Sequence, residues 1–207
     1  MKTRTHFLIL LTIAAYLLTS LGHAETPVAR HLTYKGIPLT GTLKHFQKEL
    51  ESKGFIALMD RTDEDDAPAD CFKGKFAGYE VHLQVLHTPL SATVYGTFTS
   101  LESHTDWTEI QQDYNIFKKN LEEMYGMPTY NKEEMLSPYT LNDGYTMKAL
   151  DEKKIDYISE WRLENGTIRL TIEQAKKRTG YVLVQYTDNI NRKLKEEEQK
   201  RIINNDL

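Results

Sequence analysis

Residues able to do acid–base, nucleophilic or metal chemistry are few in this chain and thinly spread. Glu80 and His82 sit two apart, so on a strand they share a face and could move a proton in a hydrolase. His87 adds a second imidazole, but five residues along a strand is an odd step, so it points to the opposite face. One strand therefore cannot offer His82 and His87 to one ion. Gln84 joins Glu80 and His82, which makes that face read as a solvent face. Cys71 is the one cysteine, so no internal disulfide can form. As a nucleophile it would need a histidine and an orienting group brought close by the fold. Next to Phe72 at a strand start, it reads instead as a small buried hydrophobe.

Residues 60–70 hold six acids: Asp60, Asp63, Glu64, Asp65, Asp66 and Asp70. A calcium loop of the EF-hand type wants an acidic side chain at its third position and glycine at its sixth. Counted from Asp60 those positions hold Thr62 and Asp65, so the run reads as a solvated loop. Nucleophile-elbow, Walker, dinucleotide, HExxH and paired CxxC motifs do not occur in the sequence. No metal or cofactor is expected. The remaining cluster is aromatic. Tyr125, Tyr130, Tyr139 and Tyr145 could offer flat faces to a glycan or small ligand, with Asn142 and Asp143 as polar partners. The plainer reading packs these tyrosines onto the fold.

The elements that would position these groups are legible by period. Thr42 can cap a helix whose apolar face is Leu43, Phe46 and Leu50, ending at Gly54. Phe55–Met59 reads as a short strand. Strands follow at 72–76 and 79–87, turning at Ala77-Gly78, with Tyr79, Val81, Leu83 and Val85 on one face. A third runs over 92–99. Asp106 and Glu109 form a D-x-x-E helix start. Trp107, Ile110, Tyr114, Phe117, Leu121 and Met124 then make a long apolar stripe, suited to docking on the chain's own sheet or to a coiled-coil seam. Strands over 155–163, 167–174 and 181–187 close the domain. Asn165-Gly166-Thr167 serves equally as a hairpin turn or a glycosylation acceptor. Residues 188–207 read as a mostly solvated helix or tail.

Two helices with the same spacing point to an internal repeat. Phe46 and Leu50 match Phe117 and Leu121 at an offset of 71. Val81, Leu83 and Val85 match Ile168, Leu170 and Ile172 at 87, and Val94, Phe98 and Thr99 match Val182, Tyr186 and Thr187 at 88. Chance alignment is the alternative. The expected fold is α+β: two tandem helix-plus-antiparallel-meander units (34–104 and 105–187, insertion near 128–155), the helices on one face of antiparallel sheet. Together they form a single domain, 34–187.

Lys2, Arg4, the apolar run Phe7–Leu18 and the small residues Gly22 and Ala24 read as a secretory signal peptide over 1–24, too short for a membrane anchor. Residues 25–33 read as a flexible leader. The formal net charge is −4, and losing Lys2 and Arg4 makes it more negative. A nucleic-acid partner is therefore not expected, nor attraction to an anionic bilayer.

The stretches YKGIPLTGTLKHF, LESKGF, FKGKFAGYEV and LEEMYGMP resemble small secreted proteins of unknown function from anaerobic gut-type bacteria. The order of elements is also similar to the beta-lactamase inhibitor protein architecture and its outer-membrane-assembly lipoprotein relatives, although this chain lacks a lipobox cysteine and disulfides. Neither resemblance supplies catalytic residues. The expectation is an exported, non-enzymatic binding or interaction module of the cell envelope, periplasmic or extracellular, with a protein partner or a glycan. Ligand binding through 125–145 is the alternative, and a hydrolase using Glu80 and His82 the third reading.

Overall fold

The alternation around Val81, Leu83 and Val85 becomes a nine-residue strand, Tyr79–His87, with those three side chains buried and Glu80, His82 and Gln84 exposed on the other face. It belongs to an α+β fold in a computed structural model that describes residues 30–58, 70–141 and 143–206. The expected signal peptide, residues 25–29 of the leader, residues 60–69 of the acidic run and Asn142 lie outside the described residues.

From His31 onward the chain forms one unit. A small hairpin, β1 (Thr33–Tyr34) and β2 (Ile37–Pro38), leads into α1 (Leu43–Ser52), β3 (Ile56–Ala57), β4 (Cys71–Phe76), β5 (Tyr79–His87) and β6 (Val94–Leu101). The chain continues with α2 (Trp107–Tyr125), β7 (Tyr130–Met135), a short α3 (Thr146–Asp151), β8 (Ile155–Arg162), β9 (Gly166–Lys176) and β10 (Thr179–Asp188). A last helix, α4 (Asn189–Asp206), follows directly. One eight-stranded antiparallel sheet runs β3-β4-β5-β6-β10-β9-β8-β7. Ala77 (φ 50°) and Gly78 (φ 89°) turn the β4–β5 hairpin, a two-residue loop with left-handed dihedrals that match strand twist.

The two meanders meet at β6 and β10, where Thr99 lies opposite Val184. Moving outward from that pair, Thr99 faces Leu83 and Val184 faces Leu170; Leu83 faces Phe72 and Leu170 faces Ser159. Leu83 and Leu170, 87 residues apart, thus stand one strand out from the β6–β10 pair on either side. The offset of 88 between β6 and β10 does not hold in the ladder. It would equate Tyr186, which packs in the core, with Phe98, which points to the far face beside Leu183. A one-residue slip on a strand reverses every side chain. The connection between β9 and β10 is tighter than that between β5 and β6.

The helices pack against one face of the sheet. Leu43, Phe46 and Leu50 of α1 and Ile110, Tyr114, Phe117 and Leu121 of α2 share a core with Leu83, Leu170 and Tyr186. Met124, expected on the α2 stripe, is 69 % exposed. Tyr125, one residue on, packs partly buried against the core instead. Several buried polar groups in this core are paired, though Thr97 Oγ1 is buried there without a partner. Tyr34 Oη accepts from Thr99 Oγ1 at 3.1 Å, and its ring stacks on Phe76. Tyr114 Oη and Ser159 Oγ share a 2.8 Å bond, and Ser159 donates on to Asn131. Trp161 Nε1 donates to the Gly126 carbonyl at 2.8 Å.

The helix α4 is anchored by polar groups. Asp188 caps it, accepting from the amides of Ile190 and Asn191 and, across the fold, from Leu32. His31 Nδ1 lies 3.2 Å from the same carboxylate at a poor angle for a hydrogen bond. Leu32, inside the expected leader, is itself buried. Asn191 Nδ2 donates to the carbonyls of Leu39 and Val94, both at 2.9 Å. Glu198 accepts from the amides of Leu90 and Ser91 and from Ser91 Oγ.

Candidate functional site

The tyrosines singled out by sequence do not form one site. Tyr125 closes α2 and lies half-buried with its hydroxyl bonded to that of Tyr186. Tyr130 starts β7 opposite Glu160. Tyr139 donates to Glu152 at 2.7 Å. Asp143 is spent on its own loop, accepting from the amides of Thr140 and Tyr145. Tyr145 is exposed and lines a cavity at the N-terminal end of α2. Tyr125 sits at the other end of that 19-residue helix, roughly 27 Å away at 1.5 Å per residue.

The cavity holds about 690 Å³ and is open to solvent. Three segments wall it: Thr105–Trp107, Gly144–Lys148, and Lys177-Arg178 at the β9–β10 turn. Two polar latches hold these segments in place. His104 pairs its backbone with Gly180 in both directions, and its ring lies between Glu109 (3.3 Å) and Asp113 (3.0 Å). Asp151 Oδ1 accepts from Gln174 Nε2 and from the amide of Arg178, tying α3 to the hairpin tip. Asp106 is the carboxylate in the wall. It caps α2 by accepting from the amides of Thr108 and Glu109, and the Thr108 bond above all holds its carboxyl below the usual range. Trp107 meets Tyr157 edge-on at 5.2 Å, and its Nε1 is shut from solvent without an acceptor.

A second surface is the sheet face opposite the helices. Phe98, Tyr181 and Leu183 lie side by side on β6 and β10, half-buried, with Leu58, Cys71, His82, Gln84 and Ser100 around a smaller hollow of about 380 Å³. Some charges on this face are paired, Lys75 with Glu80, Lys132 with Glu134 and Asp156, and Arg162 with Glu160, while Lys73 and Arg169 on the same face have no ion-pair partner among the described residues. Burial, then the Asp70 carboxylate, push the Cys71 thiol up, so it stays in the protonated form that attacks poorly.

Comparison with protein-family models, characterised proteins and solved structures found no match.

Glu80 and His82 do share a face, as expected, but both are open to water, and Glu80 is engaged with Lys75 at 3.5 Å. Neither is in the shielded setting that tunes a general acid or base. Among the described residues no group of three or more His, Cys, Asp or Glu is placed to hold a metal ion, and no helix is long and apolar enough to cross a membrane. Sequence reasoning missed Trp107 and the Lys177-Arg178 tip as partners. Trp107 read as the start of a core stripe, and the tip is some seventy residues away in the chain. The one signal was the basic hairpin tip in an acidic protein.

Proposed function

We propose that this chain is an exported, non-enzymatic binding module of the cell envelope that presents its helix-free sheet face to a protein partner. The observation that carries the reading is the stripe of Phe98, Tyr181 and Leu183, half-exposed at the middle of an eight-stranded sheet. An apolar centre with a polar rim is the usual anatomy of a protein interface. Charges of both signs rim the stripe, which suits a protein occupant. The signal-peptide pattern in residues 2–24 supports export.

The test is site-specific photo-crosslinking in cells that produce the chain. A photoreactive side chain at Phe98 or Leu183 should give a discrete adduct that is lost when Tyr181→Glu is added. The same probe at Lys119 on the exposed side of α2 should give none. No adduct at 98 or 183, or equal adducts at all three positions, overturns the proposal.

A further inference from the structure

The cavity at the start of α2 combines groups that the sheet face does not use. Its wall holds two aromatic side chains, Trp107 and Tyr145, and three cations, Lys148, Lys177 and Arg178. Its one carboxylate, Asp106, is already neutralised in part by two backbone amides. Lys148 has only a long contact to Glu152, 3.8 Å, and sits 6.0 Å over the ring of Tyr139. Among the described residues the side chains of Lys177 and Arg178 have no ion-pair partner. Free cations clustered on an acidic protein are an uncompensated field aimed at one place.

Two details show how the backbone of the hairpin tip is held. Arg178 adopts φ 53°, a left-handed conformation in which glycine would cost less. Its amide is bonded to Asp151, so the strained residue is braced against α3.

We propose that this cavity binds an acidic sugar unit of the uronic type, its carboxylate between Lys177 and Arg178 and its ring against Trp107 and Tyr145. The volume is within the range of small-ligand sites, about 300–1,000 Å³. A guanidinium and an ammonium together suit a carboxylate, the guanidinium in a bidentate fashion. A sugar ring offers an apolar face to an indole. The site is independent of the sheet-face reading, since it shares none of the residues crosslinked there.

The chain has two tryptophans, Trp107 and the buried Trp161, so 5-fluorotryptophan labelling gives two fluorine NMR signals that a Trp107→Phe variant assigns. Sodium glucuronate, glucose and inorganic phosphate are titrated in turn. Glucuronate should shift the Trp107 signal saturably and leave Trp161 unmoved, while glucose and phosphate at equal concentration shift neither. Arg178→Gly relieves the strained turn, so the protein should melt no lower, yet glucuronate affinity should fall about five- to tenfold. Lys177→Gln should weaken it similarly. A null titration to high millimolar glucuronate, an equal shift from glucose, or equal binding of phosphate overturns the proposal. So does unchanged affinity in Arg178→Gly.

Discussion

Asn191 is the strongest test of how α4 is held. Its side chain is 6 % exposed and donates both amide hydrogens to carbonyls that nothing else in the sequence pattern would have matched to it, Leu39 and Val94. Asn191→Ala removes two bonds, each worth about 1 kcal/mol net, and leaves two carbonyls on fully buried residues short of a donor, which raises the loss to about 3 kcal/mol. For a domain of this size that is a fall in Tm of roughly 6–12 °C. Asn191→Asp keeps the shape but sets carboxylate oxygens against the two carbonyls, so it should cost more than alanine. Urea unfolding followed by far-ultraviolet circular dichroism measures both, with an unchanged m-value as the check that only the native state was altered. An alanine variant within about 0.5 kcal/mol of the parent would refute the reasoning, as would an aspartate variant more stable than alanine.

Other outcomes follow from the same contacts. At Gly180 an added Cβ would stand 2.5 Å from Leu150 and 3.0 Å from Ile110, so Gly180→Ala should cost about 1–3 kcal/mol in chemical denaturation as α2 and α3 are forced off β10. At Gly96 the obstacle is the backbone oxygen of Tyr186, 2.5 Å away, which cannot swing aside; Gly96→Ala should lower Tm further than Gly180→Ala. Bonds from Ser91 Oγ first, and from the Leu90 and Ser91 amides, hold the Glu198 carboxyl down at about 2 against an ordinary 4.5. A lowered folded-state value stabilises above the unfolded value and is lost as pH falls through the folded one, so Tm should drop between pH 4.5 and 2, and Glu198→Gln should flatten that limb. Burial pushes the Tyr34, Tyr114 and Tyr186 phenols well above their ordinary 10.0, so stability should be full below that pH and erode above it; an alkaline melting series that stays flat would contradict this.

Much of the fold could be read from periodicity. The β5 alternation and the α1 and α2 stripes appear with nearly the expected ends because each is a local pattern of apolar side chains against one surface. Two elements between Tyr130 and Asp151 were not read. The strand β7, Tyr-Asn-Lys-Glu-Glu-Met, has no apolar alternation, because an edge strand is better protected by charge. The helix α3 has only six residues, too few to display a period. Anchors such as Asn191 and Glu198 have no signature either, since their partners lie about a hundred residues away. The same distance hid the cavity. Trp107, Tyr145 and Arg178 come from three separate segments, and only the register of β10 on β9 and the docking of α3 bring them together.

The seam between β6 and β10 has a kinetic consequence. From β4 to β6 and from β8 to β10, neighbouring strands are joined by short connections, whereas Thr99 and Val184 must find each other across 85 residues. Closing a loop of that length costs roughly 4 kcal/mol of chain entropy before any contact repays it. We therefore expect each meander to assemble on its own and the two to zip together last, so that newly made chains carry two bare strand edges until that step. Pulse-labelled hydrogen exchange should find the β6 and β10 amides that cross the seam protected after those between β4 and β5; simultaneous protection would mean the halves do not form separately.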